Sequence, residues 1–212
     1  MLPRRRARFA EVVGNRQFDL TVILENVHDP HNISAVLRSA DSVGLKEIFV
    51  LYNEPGLAPE FLDLGKRSSA GARKWVDVHF YRDTEACFAH VRKNYEQVWS
   101  THLSESSKDL YELDLTQSTA LLFGNERDGI TEQSLAHSDG NFLIPQFGMV
   151  KSLNISVACA VTLYEAMRQR RNNQQYHSPE SDWSTARQDL MNDYLQRHQQ
   201  VIDPEQAPPA EE

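Results

Sequence analysis

Short apolar runs alternate along the chain with segments in which apolar residues recur every three or four positions. Six runs rich in β-branched, leucine and aromatic residues are typical of strands: residues 20–25, 47–51, 76–81, 97–101, 119–123 and 141–144. Helical spacing lies between or after them, in residues 31–43, 83–94, 131–137 and 154–171. Because strands and helices alternate, we predict an α/β fold with a mostly parallel sheet flanked by helices.

The helix predicted from about Asn154 carries one apolar stripe and ends in a cluster of arginines. The stripe comprises Leu153, Val157, Ala160, Val161, Tyr164 and Met167. A second amphipathic stretch follows from Trp183, and residues 203–212 hold three prolines and four acids. We therefore expect four segments: a basic helical extension (1–19), an α/β body (20–172), a second helical extension (173–202) and a disordered acidic tail (203–212).

The composition is that of an ordinary globular chain, with 40% hydrophobic and 25% charged residues and a net charge of −8 over 212 residues. The negative charge is concentrated near one end, because residues 178–212 carry −6 and residues 1–177 only −2. Within the latter part, arginines cluster at positions 4, 5, 6, 8 and 16 and again at positions 168, 170 and 171. Local patches decide contact with phosphates, so the sequence is compatible with a nucleic-acid partner.

Several classes of protein are disfavoured. No apolar run approaches the ~20 residues that span a bilayer, and no apolar stretch follows the basic N-terminal residues as in a signal peptide. Cys87 and Cys159 form no C-x-x-C pair, so we expect a reducing cytoplasm. The fingerprints G-x-G-x-x-G, G-x-x-x-x-G-K-[ST] and G-x-S-x-G are missing. His28 and His31 lie three residues apart without an evident third ligand, so no metal site is expected.

Three polar segments each follow a predicted strand: residues 26–32, 123–130 and 144–154. Ligands of open parallel sheets bind outside the carboxyl ends of the strands, so we expect these segments to converge on one site. Each also has a purely structural interpretation. Asn32 is a suitable cap for the first body helix and Asn154 for the last, while Gly124 and Gly129 suit tight turns.

The segments 32–38 (NISAVLR), 124–126 (GNE) and 144–156 (IPQFGMVKSLNIS) resemble, in order and spacing, the three motifs of the SpoU/TrmH family of SPOUT RNA methyltransferases. Segment 16–28 (RQFDLTVILENVH) is similar to that of the members acting on guanosine 18 of tRNA. The resemblance covers about residues 20 to 170. It implies a C-terminal deep trefoil knot, bent S-adenosylmethionine (SAM) among the knotted loops, and a homodimer through the knotted region and the last body helix.

The resemblance also implies roles for individual residues. The catalytic group would comprise Arg38 as the catalytic arginine, Asn32 as its orienting neighbour, and Glu126, Ser152 and Asn154 as supports of the second and third loops. SAM would contact Ile144 and Leu153 at its adenine and Thr101 and Gly124 at its ribose and methionine parts. Contacts with RNA would come from Arg8, His31, Arg168 and Arg170.

The implied reaction is SAM-dependent methylation of the 2′-hydroxyl of guanosine 18 in the tRNA D-loop. A ribose hydroxyl must lose its proton as it attacks the methyl group. Arginine is an unusual base because it holds its proton above pH ~12. Either Arg38 accepts the proton beside an RNA phosphate, or its charge lowers the hydroxyl pKa while solvent or phosphate accepts the proton.

Other functions are compatible with parts of the sequence. The same chemistry could act on ribosomal RNA or on the tRNA wobble nucleotide. Nineteen residues before Leu20 are too few for the RNA-binding domain usual in ribosomal relatives, and both helical extensions favour the D-loop. A non-catalytic RNA-binding module is disfavoured because Arg38 and Asn154 are present. An unrelated small-molecule enzyme would leave the arginine clusters unexplained.

Overall fold

The computed structural model describes residues 3–54, 71–150 and 152–202. The expected loop up to Ser69 and the acidic tail from Asp203 therefore lie largely or wholly outside the described residues. The chain forms two compact units. One is residues 17–173, and the other combines the flanking segments before and after it.

The unit 17–173 is built on one sheet of seven parallel strands in the order β3-β2-β1-β6-β4-β7-β5. The strands are β1 (Leu20–Glu25), β2 (Glu47–Leu51), β3 (Asp77–Tyr81), β4 (Gln97–Thr101), β5 (Lys108–Asp109), β6 (Thr119–Phe123) and β7 (Gly140–Leu143). The predicted parallel α/β sheet is confirmed. Only β5 was not predicted, because two residues carry no measurable periodicity.

The described residues form six α-helices: α1 (Pro3–Gly14), α2 (Pro30–Ser42), α3 (Thr84–Asn94), α4 (Glu132–Leu135), α5 (Ile155–Asn172) and α6 (Thr185–Ile202). Asp83 and Asn154 cap α3 and α5 with side-chain oxygens that accept backbone N–H groups. Asp29 caps α2 in the same way, by accepting from His31 N at 2.8 Å. The alternative that Asn32 caps this helix is therefore wrong, and its side chain is available for other contacts.

The two faces of the sheet carry separate apolar cores. Side chains of a strand alternate between faces, so Leu20, Val22 and Leu24 of β1 pack with α2 and α5. Ile23 points to the other face, among apolar residues of α3. Both faces of the central strands are buried, which is why the strands appear in the sequence as unbroken apolar runs.

Helix α5 turns a different face to the core than its predicted stripe suggests. The residues buried against the sheet are Ile155, Cys159, Leu163 and Ala166. Within the predicted stripe, Val157 and Tyr164 remain 47% and 49% exposed. Val161 and Met167 of the predicted stripe still pack against the core, and the Tyr164 hydroxyl lies 3.3 Å from Ser42 Oγ of α2.

The unit formed by the flanking segments contains α1 and α6. Phe9 packs edge-on against Tyr194 with ring centroids 6.4 Å apart, and Trp183, Leu190 and Met191 are buried beside them. Arg16 is also buried, and its Nε donates to the Tyr194 hydroxyl at 2.9 Å. Both flanking helices were predicted from the sequence.

Candidate functional site

A cavity of about 690 Å³ opens at the carboxyl ends of β4, β6 and β7. Its walls come from the residues that follow each of these strands, including Thr101, Gly124, Ile144 and Leu153. Glu126, Ser152 and Asn154 also line it. The second and third polar segments therefore meet at one site, at the edge of the sheet where the sequence predicts it.

The second loop is a tight turn whose backbone is held from within. Asn125 Oδ1 accepts from the backbone N–H groups of Arg127 and Asp128, each at 2.8 Å. The backbones of Asn125 and Gly129 exchange two hydrogen bonds of 3.1 Å. Gly129 has φ +74°, and a Cβ on Gly124 would come within 2.2 Å of Gly129 backbone atoms. Both glycines are therefore required by this turn.

Asn32 joins the first segment to the other two. Its Nδ2 donates to Glu126 Oε1 at 2.5 Å, and its Oδ1 accepts from Asn154 Nδ2 at 3.1 Å. Asn154 Oδ1 in turn accepts the Ser156 N–H that begins α5. One amide therefore connects all three segments at the mouth of the cavity. Ser152 lies exposed in the cavity wall nearby.

Arg38 is separate from this group within a single chain. It lies on α2 six residues after Asn32, which places it about 120° around the helix from that residue. Its side chain is exposed and does not line the cavity. In the described part of the chain it makes no hydrogen bond or ion pair. His31, at the start of the same helix, is exposed and also lies outside the cavity wall.

The expectation that Arg170 contacts RNA is wrong. Its side chain is 0% exposed and forms an ion pair with Asp19. The remaining donors reach Gln17 Oε1 at 3.0 Å and the backbone oxygens of Leu115, Asp19 and Gln117 at 2.8, 3.2 and 2.8 Å. All five guanidinium N–H donors are thus occupied inside the protein, and none is left for a phosphate.

Arg168 and Arg8 remain on the surface, as the RNA-binding expectation requires. Arg168 is 61% exposed and binds Glu165 through two hydrogen bonds of 2.8 and 2.7 Å. This pairing raises the pKa of Arg168 and lowers the pKa of Glu165. Arg8 pairs with Glu11 at 2.8 Å. Both side chains of the Arg8 pair are exposed, and such pairs are weak, so an RNA phosphate can compete for Arg8. Arg168 itself is exposed, but its partner Glu165 is only 7% exposed.

Sequence reasoning missed Glu25, the last residue of β1. This buried carboxylate accepts hydrogen bonds from Thr131 N (2.9 Å), Thr131 Oγ1 (2.7 Å), Ser134 Oγ (2.5 Å) and Asn53 Nδ2 (2.9 Å). It therefore anchors the residues that directly follow the second loop. An acid at the end of a fully buried strand was the available signal, because a buried charge requires partners. His102, Arg127 and Asp128 of the cavity wall were missed as well.

Other chemistries find little support in the described residues. Cys87 and Cys159 are buried free thiols whose pKa values burial raises, that of Cys87 to about 12. Such thiols are poor nucleophiles at neutral pH. The described residues contain no group of three His, Cys, Asp or Glu side chains placed to hold a metal ion. None of the described helices is long and apolar enough to cross a bilayer.

Known proteins are similar to this chain in both sequence and fold. Residues 19–164 match the model of the SpoU rRNA Methylase family. The chain is 45% identical over 178 residues to a Thermus thermophilus protein named tRNA (guanosine(18)-2′-O)-methyltransferase, covering 84% of this chain and 89% of that protein. The crystal structure of an Aquifex aeolicus TrmH/SpoU tRNA modifying enzyme matches with a TM-score of 0.80 and 31% identity, over 94% of this chain and 98% of that one.

A further solved structure carries a ligand. It is the SpoU methyltransferase AviRb from Streptomyces viridochromogenes in complex with the cofactor AdoMet. The match has a TM-score of 0.63 and 28% identity, over 74% of this chain and 59% of that chain.

Proposed function

The chain belongs to the SpoU rRNA Methylase family, and from this premise we propose that it methylates the 2′-oxygen of guanosine 18 in tRNA, using SAM. The substrate follows from the name of the Thermus thermophilus relative. One observation carries the proposal: Asn32 joins Glu126 and Asn154, and with them the three polar segments, at the mouth of a single cavity. That arrangement suits an enzyme that positions two substrates rather than one that forms a covalent intermediate.

The cavity fits SAM in size and in charge. Its volume of about 690 Å³ lies within the range of small-molecule sites. Glu126 and Asp128 outnumber Arg127 among the acidic and basic residues of the wall, which favours a ligand of net positive charge. We assign the backbone of Ile144 and Leu153 to the adenine, and Thr101 and Gly124 to the ribose and methionine parts. When bound, SAM supplies an electrophilic methyl group on a sulfonium.

The protein's own residues then position the ribose and stabilise charge. Asn32 fixes the carboxylate of Glu126 and the amide of Asn154, so the loops on both sides of the methyl group keep one geometry. We assign to Arg38 the phosphate next to the target ribose and the negative charge that develops on the 2′-oxygen. In this proposal, phosphate or water accepts the proton of the hydroxyl.

We also propose that different segments of the chain carry out catalysis and tRNA binding. The body, residues 20–172, carries the methyl transfer, and the flanking segments 1–19 and 173–202 help to bind tRNA. The exposed side chains assigned to RNA are Arg8 in α1, His31 in α2 and Arg168 in α5. A tRNA substrate and two buried free thiols are compatible with a reducing cytoplasm.

A homodimer through α5 is supported by its second apolar face. Val157 and Tyr164 leave half of their surface exposed, on a helix whose opposite face is core. Exposed apolar patches of this kind mark interaction sites. Replacing both residues with aspartate should shift the protein from dimer to monomer in sedimentation velocity. A wild type that sediments as a monomer at micromolar concentration would contradict the dimer.

The trefoil knot that the family resemblance implies is supported by one crossing in unit 17–173. The chain leaves β5 at one edge of the sheet and returns to the interior position of β6 through residues 110–118. That returning segment lies against the last turns of α5, where Gln169 bonds Leu113 O and Leu115 N at 2.9 and 2.8 Å. The returning segment, whose Leu113 and Leu115 belong to the core, therefore packs against helix α5, a contact that the proposed knot requires.

The function is tested by methyl transfer from labelled SAM to an unmodified tRNA transcript, with the modified nucleotide mapped. We expect label on the ribose of guanosine 18. A matched transcript with 2′-deoxyguanosine at position 18 should accept none, because the attacking oxygen is missing. Ribosomal RNA fragments and an anticodon stem-loop serve as competing substrates. Label on either of these, or transfer to the deoxy transcript, would contradict the proposal.

A further inference from the structure

Arg127 is a cation that the protein leaves unpaired at its candidate active site. The residue is exposed and lines the mouth of the cavity. Its chain neighbours Glu126 and Asp128 are both acids, yet neither forms an ion pair with it, and it has no other side-chain partner among the described residues. Several other arginines each hold a carboxylate: Arg6, Arg8, Arg92, Arg168, Arg170 and Arg197.

The backbone under Arg127 is already ordered. Asn125 Oδ1 binds the N–H of Arg127 itself, at 2.8 Å, and the turn is closed by the paired hydrogen bonds between Asn125 and Gly129. Glu25 anchors Thr131 just beyond the turn. A ligand that binds Arg127 would have to order only the side chain, which lowers the entropic cost of the contact.

We infer that Arg127 binds a phosphate of the substrate RNA and so sets the register of the target nucleotide over the cavity. The inference rests on the proposed function. A ribose whose 2′-oxygen enters the cavity carries its own 3′-phosphate directly beside that oxygen, at the cavity mouth. A guanidinium suits a phosphate because it donates two parallel hydrogen bonds to it.

The acids next to Arg127 restrict where a phosphate can bind. Glu126 and Asp128 repel a phosphate that approaches on either side of Arg127, while Glu126 is held in place by Asn32. The RNA backbone is therefore attracted at Arg127 and repelled at Glu126 and Asp128. Such an arrangement positions a strand without reading its bases.

Arg82 provides a matched control. It is exposed, follows β3 at the same edge of the sheet, and has no side-chain partner among the described residues. It does not line the cavity, and two strands separate β3 from β6 in the sheet. Removing Arg82 therefore deletes the same charge from the same edge without touching the proposed contact.

The test compares Arg127→Ala, Arg127→Lys and Arg82→Ala for binding of an unmodified tRNA transcript by fluorescence anisotropy over a salt series. Calorimetry measures SAM binding in parallel. We expect Arg127→Ala to weaken tRNA binding about tenfold at low salt and to reduce the salt slope by ~0.7 to 0.9. Arg127→Lys should retain the slope but lose part of the affinity, since it cannot bind a phosphate through two parallel hydrogen bonds. SAM affinity should stay within about twofold of the wild type.

Three results would overturn the inference: unchanged tRNA binding in Arg127→Ala, an equal loss in Arg82→Ala, or a loss of SAM affinity instead. The last would assign Arg127 to the carboxylate of SAM. A wild type that binds tRNA but transfers no methyl group to it would count against the proposed function alone. A wild type that binds no tRNA would overturn both.

Discussion

The unit 17–173 contains two polar clusters built from similar residues. In the closed cluster all polar groups have partners inside the protein, and in the open cluster a charged group remains in solvent. Around Arg170, every guanidinium donor is matched by an acceptor inside the protein. At the mouth of the cavity, Asn32 bonds Glu126 and Asn154, while Arg127 keeps an unpaired charge in solvent. Arg38 on α2 is also unpaired, but it lies outside the cavity wall. The first cluster uses polar groups to hold distant parts of the chain together. The second leaves its charges for a ligand.

Glu47 belongs with the closed type. It is buried beside β3 and accepts hydrogen bonds from Tyr95 at 2.9 Å and His79 at 3.1 Å, with Lys46 at 3.3 Å. Burial acts to raise its pKa, but the contact with His79, the charge of Lys46 and the bond from Tyr95 outweigh burial and lower the pKa to about 2. Like Arg170, it lies outside the cavity wall.

The largest effect is expected at Arg38, the exposed and unpaired arginine of α2. Arg38→Ala should reduce the rate of methyl transfer at least about a thousandfold, because the charge that stabilises the reacting oxygen is removed. SAM affinity, measured by calorimetry, should remain nearly unchanged. A collapse of SAM affinity in this variant would mean that the roles assigned to the first and third loops are wrong.

Arg170→Met should lower the free energy of unfolding by about 2 to 4 kcal/mol, because it breaks the ion pair of a buried guanidinium with Asp19 and removes the hydrogen bond to Leu115 O, whereas Asp19 O and Gln117 O keep bonds from Thr119. Urea denaturation measures the change. Arg171→Met is the matched control, because Arg171 is the next residue in the chain and its side chain is exposed. This substitution should change the free energy of unfolding by less than ~0.5 kcal/mol. If Arg170→Met kept wild-type stability and lost tRNA affinity, the sequence-based assignment to RNA would stand after all.

Glu47 makes a pH-dependent contribution to stability. Its pKa in the folded protein is about 2, below the ordinary value of 4.5, so its contribution is complete above about pH 5 and is lost as the pH falls towards 2. We expect the wild type to lose on the order of 2 kcal/mol more than Glu47→Gln between pH 6 and pH 3. Urea denaturation at both values measures this. Equal losses in the two proteins would show that Glu47 is not preferentially stabilised in its charged form.

The smallest effect is expected at Arg168, which lies between the two types because it is 61% exposed and yet pairs with the buried Glu165. Arg168→Ala should weaken tRNA binding about fivefold and reduce the salt slope by ~0.7 to 0.9. Glu165→Gln should strengthen binding slightly, because it releases Arg168 from its partner. A slope that neither variant changes would remove Arg168 from the RNA-binding surface.

The sequence predicted most of the strands and the place where the polar loops meet. Strands β1, β2 and β6 were predicted to the residue, because burial on both faces leaves an unbroken apolar run. Strand β4 was also predicted to the residue, although its positions alternate between half-buried and buried. The second and third polar loops were placed together because parallel strands bring their carboxyl ends to one edge.

Arg170 shows where such reasoning fails. An arginine in a basic helix end resembles a surface residue, and its burial depends on Asp19, 151 positions away in the chain. The separation of Arg38 from the cavity depends on where α2 lies relative to the cavity wall, which the motif spacing does not reveal. Glu25 was missed because its importance depends on its burial among hydrogen-bond donors. Arg127 was missed because only the structure shows that its side chain has no partner among the described residues.

The most direct test of this account is a crystal structure of the protein with S-adenosylhomocysteine, the product that remains after methyl transfer. We predict that its adenine lies against the backbone of Ile144 and Leu153 and its amino-acid part near Thr101 and Gly124. The Asn32 contacts to Glu126 and Asn154 should persist, and Arg38 and Arg127 should stay unpaired until RNA binds. A ligand bound outside this cavity, or one whose carboxylate pairs with Arg127, would contradict the assignment of an open cluster that awaits RNA.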